Sequence, residues 1–199
     1  MIYYTVPKIY HYGALFERWF LGLPDLHFIS KAEIEKVVAE FKNAKSDFFI
    51  PLLKEVMCNQ PKEWNPASPH NSPASRLFNL VKEKLLKSGK VKESVVNKSL
   101  RFYVAVGSRL DIMCQTDCAF TLYCESVHVT VDLTSNPNKK ESHADIILSL
   151  TDLESLTDEG KADEIARLLI VRYRLEVTYS RKKRISYQKK GMKFQYSLP

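Results

Sequence analysis

The chain has 199 residues, 45% of them hydrophobic and 27% charged, with only 6 Gly and 9 Pro. That balance excludes a wholly disordered chain, a collagen-like repeat and a low-complexity polymer, and the length suits one sizeable domain or two small ones. Thirty Lys and Arg against 23 Asp and Glu give a net charge of +7, and no run approaches the roughly 18 apolar residues of a membrane-spanning helix.

The first residues, MIYYTVPKIYHYGALFERWF, carry no basic lead, clean apolar stretch or small-residue cleavage site. A protein of the cytoplasm, or of the nucleus in a eukaryotic cell, is therefore expected, with no membrane partner. Residues 1–57 form an aromatic and helical N-terminal region, whose segment 1–29, with Tyr3, Tyr4, Tyr10, Tyr12, Phe16, Trp19, Phe20 and Phe28, is expected to pack on the body of the domain, with a base-stacking surface as the alternative. Ser30 and Glu33 make a capping box that opens a helical pattern through Ile34, Val37, Val38 and Phe41, which continues or restarts near Ser46 and runs to Val56. Residues 58–73 hold Pro61, Pro66, Pro69 and Pro73, which reads as a long surface loop or a linker.

A core of mixed α/β character is expected over 74–180. It starts with a helix over 74–88, stopped by Gly89, after which the period changes to two. Strands are expected at 100–106, 109–114, 119–124, 127–133 and 144–150. Thr157 caps a further helix through Ile165, Leu168 and Leu169, and a last strand is expected from Leu175 to Tyr179. The fold class is α+β or α/β: a helical N-terminal half, then a mixed central sheet of about five strands with a packed helix.

Charge is concentrated at the C-terminal end. From Val171 to Pro199 stand Arg172, Arg174, Arg181, Lys182, Lys183, Arg184, Lys189, Lys190 and Lys193 against Glu176 alone, so residues 1–170 carry −1. Interleaved Tyr173, Tyr179, Tyr187, Phe194 and Tyr196 suit this segment to phosphates and unstacked bases, and residues 181–199 form its basic aromatic tail. DNA is the expected partner, with RNA, acidic lipid, an acidic protein or a localisation signal at Arg181–Arg184 as alternatives. The oligomeric state is open, a homodimer included. The four cysteines form no CxxC pair, so reduced thiols are expected; Cys114 and Cys118 with His128 or His143 form a zinc alternative of unfamiliar spacing.

The segment DCAFTLYCESVHVTVDLTSNPNKK, residues 117–140, carries the chemistry. A hairpin turning at Glu125-Ser126 would pair Phe120 with Val131, Leu122 with Val129 and Cys124 with Val127, making one face wholly apolar. On the opposite face Ala119 pairs with Asp132 and Asp117 with Thr134, so Asp117 and Asp132 become diagonal neighbours about 7–8 Å apart. Two such carboxylates are stable together only around positive charge, and a hard divalent cation with Lys139 or Lys140 nearby would supply it. Otherwise these acids simply face water beside a polar turn.

This segment resembles the core of the PD-(D/E)XK nuclease superfamily, in which a helix precedes a strand hairpin bearing one acid and then an acid-x-Lys triplet. The resemblance spans roughly residues 74–180 and implies a restriction-endonuclease-like core and Mg²⁺-dependent hydrolysis of DNA. Asp132 matches the triplet acid, Asp111 or Asp117 the acid before it, and Glu83 the acid of the first helix. Asp111, Asp117 and Asp132 would then hold the metal. Two departures stand out: Thr134 occupies the lysine position, leaving Lys139 or Lys140 to supply the charge, and the segment after the triplet reads as strand where the family has a helix. A non-catalytic nucleic-acid-binding or regulatory protein, or a component of a protein assembly, are the rival readings.

Overall fold

A near-continuous run of buried residues along 118–134, apolar on one face and mixed on the other, sets the frame of the molecule. The computed structural model describes residues 8–23, 30–41, 48–70, 72–154 and 158–189. Within them, β2 (Cys118–Leu122) and β3 (Cys124–Thr134) form an antiparallel hairpin; β1 (Arg101–Val104) pairs antiparallel with β2, and β4 (Ile146–Ser149) runs parallel to β3. The described sheet is therefore mixed, four-stranded and ordered β1-β2-β3-β4.

One face of the sheet is apolar because Phe120, Leu122, Val127, Val129, Val131 and Leu133 share it. Phe120 stacks on Phe102 with ring centroids 4.4 Å apart, and Phe78 lies against it at 6.5 Å. Phe78 belongs to α4 (Pro73–Ser88), a helix with strong end signals. The Ser72 hydroxyl accepts the Ser75 N–H, Pro73 occupies the first turn, and Gly89 closes the helix at a left-handed φ of 61°. Beside it α8 (Asp158–Lys189) buries Ala162, Ile165, Ala166, Leu169 and Ile170 in the same core. The N-terminal α1 (Lys8–Leu21) adds Phe16 and Phe20. The other face carries Tyr103, Ala105 and Ala119 against Leu52, Leu53 and Val56 of α3 (Phe49–Cys58) and Leu110 of α6 (Arg109–Cys114).

The Pro-rich segment is fastened along the outer edge of β1. Trp64 Nε1 donates to the Phe102 carbonyl at 2.8 Å, Phe102 N–H donates to Pro66, and the Gln60 amide bonds both N–H and C=O of Val104. These contacts satisfy an edge that would otherwise be open. The N-terminal region holds α1 and α2 (Lys31–Phe41), whose first turn includes an Ile34 N–H to Ser30 carbonyl bond.

Several elements differ from the expected ones. The segment 109–114 is helix, not strand: the Ser108 hydroxyl caps it by accepting the Asp111 N–H, and Gln115 ends it in the left-handed region at φ 51°. The Leu175–Tyr179 strand is instead the interior of α8, where alternate hydrophobics happen to satisfy both periods. The sheet accordingly has four described strands rather than about five. In the hairpin the register is displaced by two residues, Phe120 pairing with Val129 and Ala119 with Thr130, because the chain reverses tightly at Tyr123 (φ 75°) with a bulge after Thr121. An even displacement leaves every side chain on its expected face.

Residues 135–145 link β3 to the parallel β4 without a helix. Arg172 of α8 anchors the end of this crossover, with Nη1 and Nη2 donating to Asp145 at 2.8 and 2.6 Å, and it also bonds the His128 carbonyl. Burial acts to raise the Asp145 pKa, but hydrogen bonds from Arg172 and Thr130 outweigh it and hold the carboxyl below its usual range. Arg172→Met should therefore destabilise the fold by about 2 kcal/mol at neutral pH. Stability linked to a depressed carboxyl is present above its unfolded pKa and is lost as pH falls through the folded value, so the deficit should shrink below about pH 4. Urea denaturation at pH 7 and pH 3 measures both; an equal deficit at the two would contradict the assignment.

Candidate active site

The hairpin's displaced register brings the two central acids side by side. The Asp117 N–H donates to the Val131 carbonyl at 2.9 Å, so Asp117 stands across from Asp132 rather than diagonal to it. Its own carbonyl accepts the N–H groups of Ala105 and Val106 at 2.7 and 3.0 Å, which ties the position to β1. Both side chains are inside the protein: Asp117 is 6% and Asp132 3% exposed. Asp117 Oδ2 accepts the Leu133 N–H at 2.6 Å.

Lys139 closes on this pair, with Nζ 2.6 Å from Asp132 Oδ2. The turn that delivers it is built by its own asparagines: the Asn136 N–H donates to Thr134 Oγ1, Asn138 N–H to Asn136 Oδ1, and Lys139 N–H to the Asn136 carbonyl. The ammonium is the charge partner of Asp132 Oδ2, a buried atom with no other polar contact among the described residues.

Two further carboxyls complete the cluster. Asp111, in the capped first turn of α6, accepts the Gly107 N–H at 2.8 Å and hydrogen-bonds with Asp117. Burial, tempered by those hydrogen bonds, lifts the Asp111 pKa to about 6. Burial followed by the charges of Asp111 and Glu17 pushes Asp117 well above its ordinary value. Two adjoining carboxyls in such a place hold a proton between them. Glu17, projecting from α1, is raised to about 7 by burial, then by Asp111 and Asp132. Asp111, Asp117, Asp132 and Lys139 thus gather where β2 begins and β3 ends, within electrostatic reach of Glu17.

Of the residues expected to act together, Asp111, Asp117, Asp132 and Lys139 do meet, while Lys140 is exposed beside them. Glu83 does not join: it lies on the solvent face of α4 and ion-pairs with Lys87. Glu17 of α1 lies within electrostatic reach of the cluster instead, and the sequence offers a signal for it in hindsight. Phe16 and Phe20 form an inward stripe, so a carboxylate between them must meet the domain's edge. The zinc alternative fails on geometry, because Cys118 faces the Phe120 core while Cys114 packs on the opposite face, and the His128 Nδ1 is engaged with the Glu125 carbonyl at 2.8 Å.

The basic residues are placed elsewhere. Ser126 donates to Glu176 and Tyr123 meets Tyr173 edge-on, so the C-terminal part of α8 passes the hairpin tip. Six β3 positions separate Ser126 from Asp132, about 20 Å along the strand. Arg174, Arg181, Lys182 and Lys183 are exposed there and beyond, while Arg172 is committed to Asp145. The side chains of Arg184 and Lys189, and residues Lys190 and Lys193 entirely, lie outside what is described.

Among the known proteins compared, no family model, curated sequence or solved structure matches the chain. The site must therefore be judged on its own chemistry. Among the described residues no group of three or more His, Cys, Asp or Glu is arranged to hold a metal ion. The reason is visible in the hydrogen bonds: the oxygens are turned onto Leu133, Gly107 and Lys139 rather than towards one point. The donors are carboxylate oxygens, the type that hard divalent cations take, although the described residues do not arrange them as a metal site. No described helix is long and apolar enough to cross a membrane.

Proposed function

We propose that the chain is a metal-dependent nuclease that hydrolyses phosphodiester bonds of DNA. The observation that carries the reading is the buried pair of Asp117 and Asp132 capped by Lys139, 2.6 Å from Asp132, since burying two acids together serves no structural end that two apolar residues would not serve better. Asp132 and Asp117 would hold Mg²⁺, with Asp111 as a third oxygen donor or as the group that orients Asp117. The ion, when bound, supplies charge neutralisation at the phosphate and a more acidic water.

The chain's own groups supply the rest. Lys139, displaced from Asp132, keeps a positive charge beside the phosphate oxygens, the part played in the resembling family by the triplet lysine that Thr134 replaces here. Glu17 has a pKa of about 7, matched to giving and taking a proton at neutral pH. Burial of the surrounding strands limits water to the reacting face. The test is direct: purified protein with linear and supercoiled DNA should give cleavage with Mg²⁺ or Mn²⁺ and none with EDTA. If neither ion elicits cutting of DNA or RNA, the reading fails.

A further inference from the structure

Alongside the hairpin tip and past it, α8 shows an apolar ridge to solvent. Val171, Leu175 and Tyr179 are 48%, 66% and 63% exposed and recur every four residues, which places them in one row along the helix. Exposed Arg167 and Lys183 continue that row at its two ends, and exposed Arg174 and Lys182 lie along one flank of it. Glu176, the acid of this stretch, is turned away to Ser126 and Ser180. We propose that this face of α8 docks an acidic amphipathic helix of a partner protein.

Three kinds of occupant are possible, and the side chains choose among them. A second copy of the chain would set Lys182 against Arg167 in an antiparallel pairing, or like against like in a parallel one, and either arrangement repels. A nucleic acid would satisfy the cations and could stack on Tyr179, but Val171 and Leu175 are aliphatic and would gain nothing from phosphate or sugar. A partner helix with an apolar stripe and flanking Asp or Glu satisfies both features at once: the ridge is removed from water and each cation finds a carboxylate. Its site lies at the end of the sheet away from Asp132, so docking there leaves the acid cluster accessible. The inference is independent of the nuclease reading.

The test uses the full chain and a designed probe, a synthetic peptide with leucines at helical spacing flanked by glutamates, compared with a scrambled isomer of equal charge. Calorimetry or fluorescence anisotropy should find the amphipathic peptide bound at least about tenfold more tightly than the isomer. Leu175→Asp, at a position 66% exposed and outside the core, should erase that preference while the helical circular dichroism signal stays at the wild-type level, and Arg174→Glu with Lys182→Glu should weaken both peptides. Equal binding of the two peptides, or a preference that survives Leu175→Asp, overturns the proposal. So does a short DNA duplex whose binding falls with Leu175→Asp as far as the peptide's does, or a dimer in sedimentation that the same substitution dissolves.

Discussion

Asp132→Asn is expected to slow Mg²⁺-dependent cleavage by about 10³-fold or more while leaving the protein folded. The amide keeps the volume of the carboxylate, so the strands need not move, but it gives up the charge that pairs with Lys139 and would face a cation. Lys139 is 30% exposed along its side chain and can turn to water once its partner is neutral. The opposite deletion is costlier. Lys139→Met leaves a carboxylate that is 4% exposed with no counter-charge, a loss worth about 3–5 kcal/mol for a fully buried pair and about 2–3 after allowing for the lysine's exposure. The double variant, with both charges gone, should recover most of that loss. Urea denaturation of the four proteins gives the coupling energy. Losses that simply add would mean that Asp132 and Lys139 do not depend on each other, and the charge arrangement proposed for catalysis would have no basis.

The part of this cluster that lies within one hairpin was readable from the sequence, and the part assembled from distant elements was not. Alternation from Phe120 to Leu133 dictates which side chains share a face, and that assignment tolerated a register displaced by two residues because the pleat repeats every two. The pairing itself depends on the reversal at Tyr123, whose positive φ is a property that the residue type does not announce. The asparagines that curl Lys139 back to Asp132 are likewise local, and Asn136-Pro137-Asn138 is a turn by composition. Glu17 stands a hundred residues earlier in the chain, and only the docking of Phe16 and Phe20 on the core brings it near. Period alone could not separate helix from strand at 109–114 or 175–179, where short mixed segments fit both. Capping by Ser108 decides the first, and continuity with the buried Ile165–Ile170 turn decides the second.

Glu17→Gln should make the protein more stable at pH 8 and hardly change it at pH 4. In the native state the Glu17 carboxyl is raised from 4.5 to about 7, chiefly by burial and then by Asp111 and Asp132. A raised carboxyl binds its proton more tightly when folded than when unfolded, so its contribution is fully present below pH 4.5 and is lost as pH rises through 7. The full shift is equivalent to about 3 kcal/mol, and since Asp111 and Asp117 share the same field the release on substitution should be nearer 2. For a chain of this size that is about 4–8 °C in melting temperature at pH 8. Asp111, lifted to about 6 by burial, keeps its own decline in the variant, so the stability profile should flatten without becoming level. Cleavage should move the other way, falling in Glu17→Gln and losing the part of its pH dependence near 7. Thermal melts at pH 4, 6 and 8 read the first effect, and initial rates across the same range read the second. A variant that melts below the wild type at pH 8 would mean that the carboxylate is held by positive charge rather than crowded by negative, and the cluster would have to be reassigned.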